Sequence, residues 1–147
     1  MSESYLYREV IRPPLWLMLF LVFMLGSLVL AIWAALDMQA TVIAAIVSLL
    51  IILAVPILGA QRIVLDQNEL RVGRAHIERK FLANVEEIAT KDFLVLRTRG
   101  ADPAAYHALI FWVSRGVKVT IDDPRDPTPY WLISTKRGVE LKRALES

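Results

Sequence analysis

Residues 15–36 and 40–60 contain no Asp, Glu, Lys, Arg or His, and only Asp37, Met38 and Gln39 lie between the two stretches. A helix rises about 1.5 Å per residue, so about 20 residues cross the hydrocarbon of a bilayer. Each stretch is long enough. A helix buried in a soluble core is usually shorter and amphipathic, whereas these are apolar on every face. A cleavable signal peptide would have a shorter apolar core and no second span directly after it. A link this short makes the two helices antiparallel neighbours.

Small residues suggest how the helices meet. Ser27, Ala31 and Ala35 recur every fourth residue in the first stretch, and Ala40, Ala44 and Ser48 do so in the second. Folding the chain back at Asp37–Met38 sets Ala35 against Ala40, Ala31 against Ala44 and Ser27 against Ser48. Such spacing permits the close backbone approach on which helix pairing in lipid depends. Pro56 predicts a bend near the end of the second helix, where its ring crowds the carbonyl of Ile52. The absence of ionisable groups within the spans argues against a conducting path for polar cargo. Arg8 and Arg12 flank the first span, Arg62, Arg71 and Arg74 follow the second, and the intervening loop has no Lys or Arg. The positive-inside rule then places both termini in the cytoplasm of a multi-pass cell-membrane protein. Trp16 and Trp33 stand near opposite ends of the first span, as interfacial anchors do.

The remainder divides into a polar N-terminal segment, 1–12, with Tyr5 and Tyr7 as expected interfacial residues, and one small cytoplasmic domain, 61–147. The hairpin itself is 13–60, opened by Pro13 and Pro14. Over the whole chain, 17 basic residues against 15 acidic ones are interleaved, which is no nucleic-acid footprint. There is no cysteine, so disulfides and thiolate metal sites are excluded. Beyond Ala60 the pattern turns strand-like. Strands are expected at 62–66, 69–72, 75–78 and 85–88, with a turn at Gln67-Asn68 and a bend or bulge at Gly73. Thr90 as cap, Asp92 in a first turn and Gly100 as stop predict a helix, although FLVL at 93–96 also suits a strand. The apolar run 109–113 reads as a buried strand, Ser114-Arg115-Gly116 as a hairpin turn, and 117–121 as its alternating partner. A stiff Asp- and Pro-rich loop, 122–129, leads to a last strand at 130–134. A closing helix capped by Thr135 runs to about residue 145, with Leu141, Ala144 and Leu145 on its apolar face. The expected fold is a transmembrane helical hairpin followed by a small α+β domain. That domain is an antiparallel sheet or partly closed barrel with a C-terminal helix.

The stretch Asp126-Pro127-Thr128-Pro129-Tyr130-Trp131, followed by Ser134-Thr135, is the most distinctive in the chain. Together with LDQNELRVGRAHI and the two spans, it resembles a family of small actinobacterial membrane proteins of unknown function. Gly138 departs from that pattern, which more often has a proline opening the last helix. The soluble half also resembles a bacterial pleckstrin-homology-type domain, a fold that serves more often as a binding platform than as a catalyst.

Few residues suggest chemistry. Asp122, Asp123 and Asp126 share one loop, but Asp before Pro is ordinary turn chemistry and no regular ligand spacing is present. His76 and His107 lack a nucleophile elbow or zinc motif around them. Alternation along the last strand turns one of Tyr130 and Trp131 outward beside Asp126, where it is a candidate partner contact; the favoured alternative is that both pack against the C-terminal helix. Arg62, Arg71 and Arg74, close to the membrane exit, are candidates for anionic headgroups. No cofactor is expected. The expected partners are membrane lipid and a membrane or cytoplasmic protein; self-association stays open and nucleic acid is excluded. The function expected is a non-enzymatic, membrane-anchored interaction module. The alternatives are an enzyme acting on a lipid or envelope precursor and an accessory subunit of a larger membrane complex.

Overall fold

A computed structural model describes residues 5–147. The chain forms two compact units, residues 12–60 and the remainder.

The first unit is two helices, α1 (Leu15–Ala35) and α2 (Met38–Leu58), each long and apolar enough to span a membrane. Asp37 caps α2: its carboxylate accepts from the Ala40 amide at 2.8 Å. The second helix continues through Pro56 and ends at Gly59. On α2 the small residues line the seam as expected, with Ser48 buried and Ala40 and Ala44 half-buried. On α1 they do not. Ser27, Ala31 and Ala35 are exposed, and the seam is formed by Met18, Leu21, Leu25, Val29 and Ile32. Small residues on one helix suffice, because branched side chains of the other fill the shallow side they leave.

The second unit holds two four-stranded sheets. The first runs in order β1 (Tyr7–Ile11), β2 (Gln61–Leu65), β3 (Glu69–Val72) and β4 (Ala75–Glu78). Residues 7–11 are therefore not part of a separate polar segment. They pair antiparallel with β2, Ile11 opposite Gln61 and Tyr7 opposite Leu65. Tyr7 is buried in this unit instead of lying at an interface, as are Glu9 and Ile11. The period-2 signal was masked by a carboxylate in an apolar slot. At the β2–β3 turn, Asp66 accepts from the amides of Asn68 (2.7 Å) and Glu69 (2.8 Å). Gly73, with φ +62°, opens the two-residue β3–β4 turn, a position that favours glycine.

The second sheet comprises β5 (Leu82–Ile88), β6 (Tyr106–Ala108), β7 (Gly116–Ile121) and β8 (Tyr130–Ser134), in order β5-β7-β8-β6. All its pairs are antiparallel except β6 with β8. Two α-helices, α3 (Thr90–Arg97) and α4 (Gly138–Glu146), and a short 3-10 helix, Arg79–Phe81, belong to the same unit, with α4 packed on β5, β1 and β7. Several boundaries move from the expected ones. The run 109–113 is a turn, so no hairpin is centred on Ser114-Arg115-Gly116. Ile110 and Val113 point into the core, while the Ile110 amide donates to Ser134 Oγ at 3.0 Å. Residues 90–97 are helical, starting one residue after Ala89 with no side-chain cap. The last helix starts at Gly138 with no side-chain cap; the Thr135 hydroxyl donates to Glu9 and accepts from the Arg137 amide at 3.1 Å, ahead of the first turn. Gly116 is required by close approach: a Cβ there would collide with the Ile133 carbonyl oxygen and lie 2.6 Å from Phe93 Cε2.

Candidate functional site

Strand register arranges the charges of the first sheet. On its outer face Val10 stands opposite Arg62, Arg8 opposite Val64, Val64 opposite Arg71 and Arg71 opposite His76. The Gly73 amide donates to the Arg62 carbonyl at 2.9 Å, which brings the Gly73-Arg74 turn level with Arg62. Arg62 and Arg74 thus share the end of the sheet from which the chain continues into α1 through Arg12 and into α2 through Ala60. Arg8 and Arg71 lie one row further, roughly 7 Å away along the strands. Asp66, Glu69 and Glu78 occupy the opposite end. Arg71 is paired with Glu69. Among the described residues Arg8, Arg12, Arg62 and Arg74 form no ion pair, and all four are exposed. At the acidic end, the Glu69 and Asn68 amides hold the Asp66 carboxyl below the usual aspartate range.

The expected aromatic contact is not present at the surface. Tyr130 and Trp131 are 9% and 5% exposed. β8 is covered on both faces: Trp131 and Ile133 join the main core, while Tyr130 and Leu132 pack with Ile88, Phe93 and Ala105. Alternation still holds, but the second face meets protein where solvent was expected. Lys118 Nζ lies 4.6 Å from the Tyr130 ring centre, and Tyr106 packs against Trp131. Asp126 is exposed; the Thr128 hydroxyl and amide hold its carboxyl low. Asp123 accepts from the Arg125 amide at 2.9 Å. Both carboxylates serve their own loop as turn acceptors.

The cluster that sequence reasoning missed centres on Glu9, 7% exposed. Its carboxylate accepts from the Tyr7 hydroxyl (2.8 Å), the Thr135 hydroxyl (2.5 Å) and the Lys136 amide (3.2 Å). Arg137 lies over the Tyr7 ring, its Cζ 5.4 Å from the centre. Burial, reinforced by Glu9, pushes the Tyr7 hydroxyl well above the ordinary tyrosine value, against a smaller opposing effect of Thr135. Thr135, the last residue of the distinctive motif, therefore ties β8 to the strand that precedes the apolar helices. The only hint in the sequence is the alternation of Tyr7, Glu9 and Ile11.

The histidines lie apart. His76 is exposed on the outer face of the first sheet. His107 is half-buried, with Nε2 3.0 Å from the Asp102 carbonyl oxygen and Nδ1 without a partner. Neither forms a hydrogen bond to a carboxylate among the described residues.

No curated protein and no solved structure matches this sequence. A family profile, described as "Protein of unknown function (DUF3093)", matches residues 6–145, and so takes in β1, both apolar helices, both sheets and nearly all of α4. The chain belongs to that family.

Proposed function

We propose that the chain is a membrane-anchored, non-enzymatic interaction module whose sheet unit meets anionic lipid headgroups at the cytoplasmic face. The register of the first sheet carries this reading. It gathers Arg62 and Arg74 at the end from which the chain runs on into two helices suited to hydrocarbon. The acids are at the other end. Near an anionic surface each such cation contributes on the order of 1 kcal/mol. The sheet unit is read as pleckstrin-homology-like, in that two mainly antiparallel sheets are closed by a C-terminal helix. The parallel β6–β8 pair and the strand supplied from before the hairpin are its own features. His76 and His107 lie in different sheets and neither hydrogen-bonds a carboxylate among the described residues, although His76 shares a shallow hollow with Glu69; this favours binding over catalysis.

Membrane fractionation and a C-terminal reporter test the anchoring and its orientation. The full chain is expected in the membrane fraction with Ser147 inside. In nanodiscs of mixed phosphatidylcholine and phosphatidylglycerol, the wild type is expected to retain more anionic lipid through delipidation than Arg62→Gln/Arg74→Gln. Equal retention would count against headgroup contact.

A second reading has one observation behind it. Ser27, Ala31 and Ala35 face outward from α1, away from the α1–α2 seam, and suit packing against another membrane helix. An accessory subunit of a larger membrane complex would use them so. Cross-linking from Ala31→Cys to a stoichiometric companion in native membranes would support it.

A further inference from the structure

We propose that the turn carrying Phe111 and Trp112 is a second membrane contact, an aromatic anchor that enters the headgroup region beside the helix attachment points. This rests on the membrane reading above and adds an apolar contact to its charged one.

The turn is held from below. Ile110 and Val113 are 6% and 3% exposed, and the Val113 amide donates to the Ile110 carbonyl at 3.0 Å. Ser134 Oγ accepts from the Ile110 amide. Between these fixed points Phe111 projects outward, 61% exposed, with the Trp112 ring edge-on at 4.8 Å. A turn that exposes a phenylalanine while its neighbour Trp112 is half-buried against the core loses hydrophobic free energy in water and regains it in an apolar partner.

The occupant is identified by position and charge. Gln61 Nε2 reaches the carbonyl of Ala108, just before this turn, at 3.5 Å. Gln61 is the residue directly after the apolar stretch, so the turn and the attachment point belong to the same end of the sheet unit. Arg115 and Lys136 line a shallow hollow with Trp112, Val113, Ser114 and Thr90. Among the described residues neither cation is in an ion pair, and both are exposed. Aromatic side chains flanked by free cations match the interface of an anionic leaflet. A protein partner would have to occupy this end of the sheet unit in place of lipid.

The absence of native cysteine makes single-cysteine labelling unambiguous. Four variants, Phe111→Cys, Ser114→Cys, Asp126→Cys and Ile46→Cys, are labelled with a small fluorophore in full-length protein. Each is reconstituted in vesicles of phosphatidylcholine and phosphatidylglycerol. Asp126 lies in the loop between β7 and β8, at the other end of the second sheet. Lipid nitroxides at headgroup depth are expected to quench Phe111→Cys and Ser114→Cys severalfold more than Asp126→Cys. Nitroxides at mid-chain depth are expected to quench Ile46→Cys. If Ile46→Cys is quenched and both turn variants behave like Asp126→Cys, the anchor is overturned and the membrane reading stands. If Ile46→Cys is not quenched, the membrane reading fails and the anchor with it. A turn label that is shielded from water yet untouched by lipid nitroxides would mean a protein covers it, which also overturns the proposal.

Discussion

Leu50 in α2 is 60% exposed and Leu132 in β8 has no exposed surface at all. Both are leucines in regular secondary structure, so the contrast belongs to their surroundings. The hairpin buries one side chain, Ser48, by its own contacts, and leaves its apolar surface outward. The sheet unit supplies its own apolar surroundings, to the point of covering β8 on both faces. In the membrane reading the helices take their apolar surroundings from lipid, whereas the sheets make their own. The units nevertheless share one dependence. β1 comes before the hairpin and β2 after it, so β1–β2 pairing requires the chain to return to its starting point. An antiparallel pair of equal-length helices does so and keeps the loop-closure cost small.

The comparison breaks most visibly at Gly116. Gly116→Ala drives a methyl into the Ile133 backbone and the Phe93 ring. It is expected to cost the sheet unit more than about 3 kcal/mol, because the main obstacle is backbone. Near-UV circular dichroism should lose the Trp131 environment while the helical far-UV signal of the hairpin persists in detergent. Joint loss of both signals would show that the units fold as one.

Thr135→Val comes next. It leaves the buried Glu9 carboxylate one donor short, at an expected cost of about 1–3 kcal/mol. The same cluster gives the sheet unit an alkaline limit. Folded Tyr7 keeps its proton above its ordinary value of 10.0, whereas unfolded Tyr7 releases it. Its contribution is therefore complete below pH 10 and is lost as pH rises through the folded value. Tyr7→Phe should flatten the fall in melting temperature above pH 10 relative to wild type. An unchanged slope would mean that Tyr7 does not titrate with unfolding.

These positions also mark where sequence stops being informative. The two helices of the hairpin are legible because each apolar run is unbroken over about twenty residues, and Asp37 can cap the return. β7 is legible because Val117, Val119 and Ile121 alternate with Lys118 and Thr120. The turn at 109–113 is not, since LIFWV has strand composition, while its backbone is held by the Val113 amide on the Ile110 carbonyl and by the Ser134 hydroxyl, distant in sequence, on the Ile110 amide. β1 is hidden because its pairing partner lies beyond the whole hairpin and its inward set includes Glu9. The exposed aromatic expected at Tyr130–Trp131 fails for a related reason. Period 2 says that neighbours face opposite ways, not that one way is water. Of the candidate site, the arginines are legible as charges, but their gathering at one end depends on pairings that the sequence does not state.

Asp37→Ala sharpens the comparison from the other side. It removes the acceptor for the Ala40 amide and is expected to cost about 1 kcal/mol, confined to the hairpin. The melting transition of the sheet unit should not move, which distinguishes it from Gly116→Ala.

The smallest stability effect is expected at the arginines, and there a difference between neighbours is the informative quantity. Arg62 and Arg74 are exposed and unpaired, so Arg62→Gln and Arg74→Gln should alter melting by no more than about 0.5 kcal/mol. Arg71 is equally exposed, but Glu69 already neutralises it and it stands one row further from the helix attachment points. Native mass spectrometry of protein released from nanodiscs should therefore show anionic lipid retention falling for Arg62→Gln and Arg74→Gln, and falling less for Arg71→Gln. Raising ionic strength should narrow that gap, because screening acts on exposed charges first. If all three substitutions lowered retention alike, general basicity would explain the lipid preference, and the polarity of the first sheet would have no part in it.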